Sequence, residues 1–245
     1  MVASLMSALP GSVAQGLIWG ILAIGVYITY KVLDFADLTV DGSLATGGAV
    51  AVMCMLNGAN TYVALILAFL AGMLAGLVTG LFHTALGIPP ILAGILTQLG
   101  LYSINMRIMG KANQAISVMQ YDVLVSLRYI PHACLLTTGF CIVIIALLYW
   151  FFGTEIGASV RATGCNPNMA RAQGINTNAT KVLGLVISNG LVGLAGALYA
   201  QYQGSADINM GRGAIVIGLA AVIIGEVVFG KISQNFGFKL FSVAF

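Results

Sequence analysis

Chemistry in this chain would have to come from very few side chains. Its 245 residues include four cysteines, two histidines and seven acids. Cys54, Cys134, Cys141 and Cys165 form no CxxC pair. Cys134 and Cys141 share a helix face at i, i+7, but neither has a histidine or acid cluster nearby, so all four read as small apolar fillers. Asp34, Asp37 and Asp41 would suggest a cation site. Beside Lys31 they read instead as a solvated, interfacial strip. There is no cluster of ionisable residues suited to catalysis and no GxxxxGK[ST] phosphate loop, so the chain is expected neither to catalyse a reaction nor to hydrolyse ATP.

The chemistry that remains is recognition by isolated polar groups inside apolar segments. Gln98 and Asn105 lie seven apart on one helix face, and Ser188 and Asn189 fall mid-segment. Polar groups in lipid are costly, which makes these four candidates for lining a solute path. The alternative is interhelical hydrogen bonding, worth about 0.5–2 kcal/mol. Glu226 precedes Lys231 by five residues, which places it about 7 Å deep at the rise of a helix. It is a further path candidate, and it can also snorkel to the interface or pair with a base from another helix.

The elements that must hold these groups follow from composition. Apolar residues make up 60% of the chain and charged residues only 7%, against roughly 25% charged in a soluble domain. Mean hydropathy is +1.01. One soluble core cannot hide that much apolar surface. A soluble enzyme, a nucleic-acid binder and a disordered chain are excluded, and the net charge of +3 suits membrane loops. The reading is an all-α polytopic membrane protein, a bundle of about seven to nine transmembrane helices, some of them broken, in a single domain over residues 1–245.

Apolar runs place spans at Ser12–Lys31, Thr61–Leu86, Pro89–Met109, His132 or Ala133 to Phe152, Ala179–Tyr202 and Gly213–Gly230, with a short Gly-rich run at Leu44–Leu56. Pro10, Pro89, Pro90, Pro131 and Pro167 sit at segment edges, where a missing N–H costs little. The runs are continuous rather than alternating, which argues against strands. Residues 110–132 form the longest amphipathic stretch, either an outer helix lying on the membrane or a connector. The closing SQNFGFKLFSVAF reads as the start of another span, so the sequence is expected to be truncated at its C-terminus. Ala68, Gly72, Gly76 and Gly80 recur at four-residue intervals and form a small-residue face for close helix packing, within one subunit or between two. His83 falls near the interfacial end of that span.

Residues 153–181 carry Arg161, Arg171 and Lys181 against Glu155, which makes this loop cytoplasmic by the positive-inside rule. Counting outward puts Lys231 inside and Gly204–Arg212 outside. Lys111 and Arg128 also fall outside, in mild conflict with the rule. The polar loop 153–178 holds a short helix, begun by Asn166 as N-cap with Pro167 in the first turn and stopped by Gly174. An exposed short helix between two spans, without acid pair or nucleophile, is a docking element.

The run Gly157, Arg161, Ala162, Thr163, Gly164, Asn166, Pro167, Ala170, Ala172, Gly174, Ile175 resembles the cytoplasmic coupling loop of ABC importer permeases of the branched-chain amino acid and ribose type. Two weaker segments occur in the matching order. Asp37-Leu38-Thr39-Val40-Asp41-Gly42-Ser43 is similar to that family's strip before a Gly-rich helix. Ala220-Ala221-Val222-Ile223-Ile224-Gly225-Glu226 falls where the family usually has a Gly-Gly pair, with Glu226 in place of the second glycine. The resemblance covers residues 12–235 and looks closest to a branch linked to uptake of tryptophan, tyrosine or similar amino acids.

The resemblance implies a plasma (inner) membrane permease subunit that forms the translocation path. Arg161, Ala162, Gly164, Asn166, Pro167, Ala170, Ala172, Gly174 and Ile175 would transmit the motion of cytosolic ABC ATPase subunits. An extracytoplasmic solute-binding protein would capture the solute. ATP would be bound by the partner ATPase, with no cofactor in this chain. One coupling loop per chain implies a homodimer embedded in membrane lipid, with no nucleic-acid partner and no metal site. The rival readings are an ion-coupled secondary transporter and a small-solute channel.

Overall fold

The computed structural model describes residues 2–116, 124–125, 130–229 and 243. Helix α1 (Val2–Tyr27) continues into a π-helical turn at Ile28–Val32 and is followed by α2 (Thr39–Leu56), α3 (Thr61–Thr84) and α4 (Pro90–Met109). A short strand β1 (Asn113–Ala115) precedes α5 (Ile130–Gly153). Two short helices follow, α6 (Glu155–Cys165) and α7 (Pro167–Ala172), then α8 (Thr177–Gln203), strand β2 (Ser205–Asp207) and α9 (Ala214–Phe229). Among the described residues six helices are long and apolar enough to cross a membrane, and a seventh, Ala214–Val228, is shorter. The protein is an all-α polytopic membrane protein.

Burial separates the helices into a centre and a periphery. Of the most apolar window, 72% is buried in α1 and in α2 and 67% in α8, against 28% in α4 and in α5. The exposed faces of α3, α4 and α5 carry Leu74, Leu99, Ile104, Leu135 and Trp150, the side chains expected to meet lipid. The small-residue face of α3 turns inward on α8. Gly72 lies against the Asn189 carbonyl, Gly76 against the Leu185 carbonyl and Gly80 against Val182, while Ala68 presents its carbonyl to Gly193. Within this subunit, then, those four residues let α3 and α8 meet backbone to backbone. Gly47 of α2 packs on Gly193 in the same way, and a Cβ at Gly47 would overlap the Gly193 carbonyl.

Direction along the bundle is fixed by contacts at its two ends. The Tyr202 hydroxyl donates to the Gly11 carbonyl at 2.8 Å. At the far end of α1, Gly164 of α6 lies against the Val32 carbonyl and Leu33 packs on Gly184. Helices α1 and α8 therefore run antiparallel. Helix α2 starts beside Asn189, near the middle of α8, and runs parallel to it. Helix α9 starts beside Asp41, in the first turn of α2, and runs back toward the end that carries α6 and α7. Both α2 and α9 thus begin partway through the bundle, which is the form the broken helices take.

Several local expectations change. Pro10 lies inside α1 rather than at its edge. Its side chain is exposed. The loop expected over residues 153–178 contains the helix α6 as well as α7. Its N-cap is Thr154, whose hydroxyl accepts from Gly157 N at 3.3 Å. Continuous apolar runs gave no hint of strands, yet β1 and β2 pair antiparallel, Asn113 opposite Asp207 and Ala115 opposite Ser205. Within the 110–132 stretch, residues 113–115 are therefore strand, and 117–123 and 126–129, including Arg128, lie outside the described residues. So do Lys231 and all of the closing segment except Val243.

Candidate translocation site

Two cavities border α4. One, of about 380 Å³, lies between α2, α3 and α4 and is lined by apolar side chains such as Leu74, Val78, Leu101 and Ile104. The other, of about 300 Å³, lies between α2, α4 and the 208–212 segment and is polar, lined by Asp41, Gln98, Tyr102, Asn105 and Arg212 among others. Gln98, Tyr102 and Asn105 stand at i, i+4 and i+7 on α4, so a single helix face supplies three of these groups. Asn105 is 1% exposed, and its amide nitrogen and oxygen both lack a hydrogen-bond partner among the described residues. Buried amides normally find partners, so an orphan beside a cavity points toward a guest that would supply them.

The mid-depth helix starts hold the charged walls. Asp41 lies in the first turn of α2 and reaches across to the start of α9. Its Oδ2 accepts from Gly213 N at 3.0 Å and its Oδ1 from Ile215 N at 2.9 Å. The carboxylate thereby satisfies N–H groups that a helix start leaves open and sits at the positive end of the α9 dipole. Arg212 immediately precedes Gly213, whose φ of +80° turns the chain into α9.

Asn189 belongs to a structural network behind this cavity. Its Nδ2 donates to Asp37 Oδ2 at 2.6 Å and to the Leu185 carbonyl at 3.1 Å, and its Oδ1 accepts from Ser43 Oγ at 2.6 Å. Asp37 also accepts from Thr39 N at 2.9 Å. Asp37 is 2% exposed and Asp41 half-buried, so of the three acids expected to form a solvated strip only Asp34 is exposed. After the π-helical turn at Ile28–Val32 the chain leaves the line of α1 at Asp34, whose φ is +53°, and Asp37 then lies against α8, bonded to Asn189. Ser188 donates to the Gly25 carbonyl at 2.7 Å, tying α8 to α1. Glu226 pairs with Lys31 at 3.0 Å, both partly exposed, so it meets a base from another helix. Of the five path candidates, Gln98 and Asn105 come together at the polar cavity, while Ser188, Asn189 and Glu226 bond between elements elsewhere.

The short helix α7 begins as its sequence directs. Asn166 Oδ1 accepts from Asn168 N and Met169 N, each at 3.1 Å, and Pro167 takes the first turn. Gly174, at φ +82°, closes it, and Ile175 N bonds to the Ala170 carbonyl at 3.0 Å. Arg161, Ala162, Asn166, Ala172 and Gly174 are exposed; Gly164, Pro167 and Ile175 are half-buried, and Ala170 is buried. Two bonds anchor the unit to α8. Arg171 Nε donates to Thr177 Oγ1 at 2.7 Å, and the Thr163 and Thr180 hydroxyls meet at 2.9 Å. Met169, a large apolar side chain, projects from α7 with 62% exposure. His83 sits at the same end, its Nδ1 2.9 Å from the Ile88 carbonyl and its Nε2 3.3 Å from Lys181 Nζ.

Sequence reasoning missed Asp41 as a cavity wall, Tyr102, Arg212 and Met169. Tyr102 was within reach, because it shares the helix face of Gln98 and Asn105. Arg212 and Asp41 were not, because nothing local indicates that residues so far apart in the chain meet.

Known proteins place the architecture. Residues 9–244 match the family described as branched-chain amino acid transport system / permease component. The chain is 42% identical over 226 residues to a tyrosine transport system permease protein of Clostridioides difficile, covering 92% of this chain and 75% of that one. It is 37% identical over 234 residues to an uncharacterised protein of Rickettsia prowazekii, covering 94% and 81%. An autoinducer 2 import system permease protein of Yersinia pseudotuberculosis is 30% identical over 215 residues, 84% of this chain and 58% of that protein. No solved structure matches. With a family match across nearly its whole length and six helices of crossing length, the chain is a multi-pass membrane protein that belongs to the branched-chain amino acid transport permease family of ABC-type importers.

Proposed function

We propose that the chain is the path-forming subunit of an importer for amino acids or similar small neutral solutes, driven by an ATPase that docks on α7. Two copies would flank the path, each presenting one α7 to one ATPase. An extracytoplasmic binding protein would deliver the solute, and ATP would be bound only in the ATPase partner. The tyrosine transport relative supports an aromatic amino acid as the solute.

The observation that carries the coupling role is α7 itself. It is capped at both ends, fastened to α8 and α6, and it leaves Met169 exposed, uncovered by any described residue. An exposed methionine on a rigid turn is a good anchor for a complementary cleft. Arg161, Ala162 and Ala172 give the surface around it small or positive side chains. Motion delivered to α7 would pass to α6 and, through Gly164 against Val32, to the π-helical turn. From there it would reach the 33–38 link and the first turn of α2 at the cavity. The route contains packed backbone and hydrogen bonds, so the transmission is mechanical, and alternating access would open the cavity to one side at a time.

The test is co-reconstitution of the chain with its ATPase and binding protein in proteoliposomes. Wild type is expected to take up solute only with ATP and all three components. Ala170→Glu or Gly174→Glu is expected to abolish uptake and solute-stimulated ATP hydrolysis. If those variants stay fully coupled, α7 is not the dock. If the chain alone accumulates solute on an ion gradient, the rival of an ion-coupled carrier holds, with Asp37 as its buried acid.

A further inference from the structure

We infer that the polar cavity between α2, α4 and the 208–212 segment is a head-group site for a zwitterion, in which Arg212 receives the α-carboxylate and Asp41 the α-ammonium of a free amino acid. This rests on the importer reading above and specifies the residues that read the solute. Opposite charges line one cavity yet form no ion pair with each other, and the Arg212 guanidinium has no hydrogen bond or ion pair to any described residue. The Gln98 amide and the Tyr102 hydroxyl are likewise unbonded to described residues, and Asn105 is buried with both amide atoms orphaned. A cavity left with a cation, an anion and spare neutral donors and acceptors matches a small dipolar ion better than any ligand of single charge.

The geometry of each wall supports its role. The Asp41 oxygens each accept one backbone N–H at the start of α9, from Gly213 and from Ile215, which fixes the carboxylate in place. A carboxylate offers about four lone-pair sites, so two such bonds leave capacity for an ammonium. Arg212 has the planar fork that suits a carboxylate. Its side chain is exposed, as are Leu99 and Tyr102, so these three form the mouth while Asn105 sits at the buried wall. A volume of about 300 Å³ lies at the low end of the ~300–1,000 Å³ typical of small-molecule pockets, which suits one amino acid.

The experiment measures equilibrium binding of radiolabelled amino acids, each of the common ones in turn, to the purified permease–ATPase complex with the binding protein left out. The tightest binder is then compared with its decarboxylated amine and its deaminated acid. Wild type is expected to prefer the intact zwitterion by at least about tenfold over either, because a site built for a polar group rejects the analogue that lacks it. Arg212→Gln is expected to weaken the zwitterion by about tenfold or more and to remove the preference over the amine, with Arg212→Lys restoring part of it. Arg212 makes no side-chain bond to any described residue, so its variants should fold, and monodispersity in detergent checks this. Asn105→Ala gives a second reading from the buried wall and is expected to weaken the zwitterion as well.

A wild-type complex that binds the amine as well as the amino acid overturns the site. So does an Arg212→Gln variant with unchanged preference, or the absence of any amino acid binding. Each of these leaves the importer reading standing if ATP-driven uptake is seen in the three-component proteoliposomes. Loss of that uptake with zwitterion selectivity intact would instead sink the importer reading and spare the site.

Discussion

Replacing Asn189 by alanine is expected to be among the most damaging single polar changes in the bundle. Its amide holds three partners at a site that is 0% exposed: Asp37, Ser43 and the Leu185 carbonyl. An interhelical hydrogen bond in a membrane protein is worth only about 0.6 kcal/mol on average, because the chain unfolded in lipid also finds partners. That figure is too small here, because deletion strands what remains. A buried group left without its partner costs about 1–3 kcal/mol. Asp37 keeps its bond from Thr39 N but loses the one at Oδ2, and the Ser43 hydroxyl loses its acceptor. The Leu185 carbonyl retains its helix bond and adds little. Because Asp37 keeps one partner it counts at the low end of that range, about 1 kcal/mol, and with Ser43 the two groups give about 2–4 kcal/mol. At about 2–4 °C per kcal/mol for chains of this length, the thermal midpoint should fall by roughly 4–16 °C. The assay is detergent thermal unfolding followed by size exclusion, run as a double-mutant cycle with Asp37→Ala. The double variant should be less destabilised than the sum of the singles by about 1–2 kcal/mol, since removing Asp37 removes the group that Asn189 leaves stranded. An Asn189→Ala midpoint within a degree of wild type, or strict additivity in the cycle, would refute the reasoning.

Other perturbations test other links. Met169→Asp should leave the thermal midpoint within about 2 °C, since the side chain is exposed, yet abolish co-purification of the ATPase; retained co-purification removes Met169 as the anchor. Gly47→Val should destabilise by more than about 3 kcal/mol, because no rotamer can keep its Cβ off the Gly193 backbone; wild-type expression and midpoint would show that α2 and α8 can part freely. Glu226→Gln should cost no more than about 1 kcal/mol, since its pairing with Lys31 is partly exposed; a loss of uptake at unchanged stability would instead assign the pair a gating role.

What could be read from sequence divides along a physical line. Spans, small-residue faces and the caps of α7 are local. Periodicity, composition and the Asn166-Pro167…Gly174 pattern encode them within one or two turns, and each expected apolar run is helical, although α1 and α2 begin earlier than those runs and α6 carried no such signal. Long-range geometry has no such signal. Asp37 and Asp41 have the composition of a wet strip, and only partners far along the chain, Asn189 for Asp37 and Gly213 and Ile215 for Asp41, hold them inside the bundle. Gln98 and Asn105 were legible as a pair because a helix face repeats at seven. Arg212 was not, because it reaches the cavity through the return of the 204–213 segment beside α2, where Gly211 meets the Asp41 carbonyl. The β1–β2 pair was missed because strands of three residues are too short to show a period.

The cavity and the exposed helix at the far end of the bundle belong to one continuous set of contacts. Gly164 sits on the Val32 carbonyl, Leu33 fills the space over Gly184, Asp37 is bonded to Asn189, and Asp41 holds Gly213 and Ile215. Each joint is a backbone close approach, a buried side-chain contact or a hydrogen bond, and none passes through a flexible side chain in solvent. Close-packed joints of this kind do not stretch; they hold or jump to another packing. A displacement of α6 therefore either carries the first turn of α2 with it or opens a gap at one of these joints at a cost of kilocalories. Asp41 makes the outcome bear on the cavity, because the carboxylate that lines it is the same group that fastens the start of α9. If α2 shifts, the start of α9 and Arg212, the residue before Gly213, must shift or lose two backbone hydrogen bonds. In the proposed coupling, both charged groups at the cavity would therefore move with the first turn of α2.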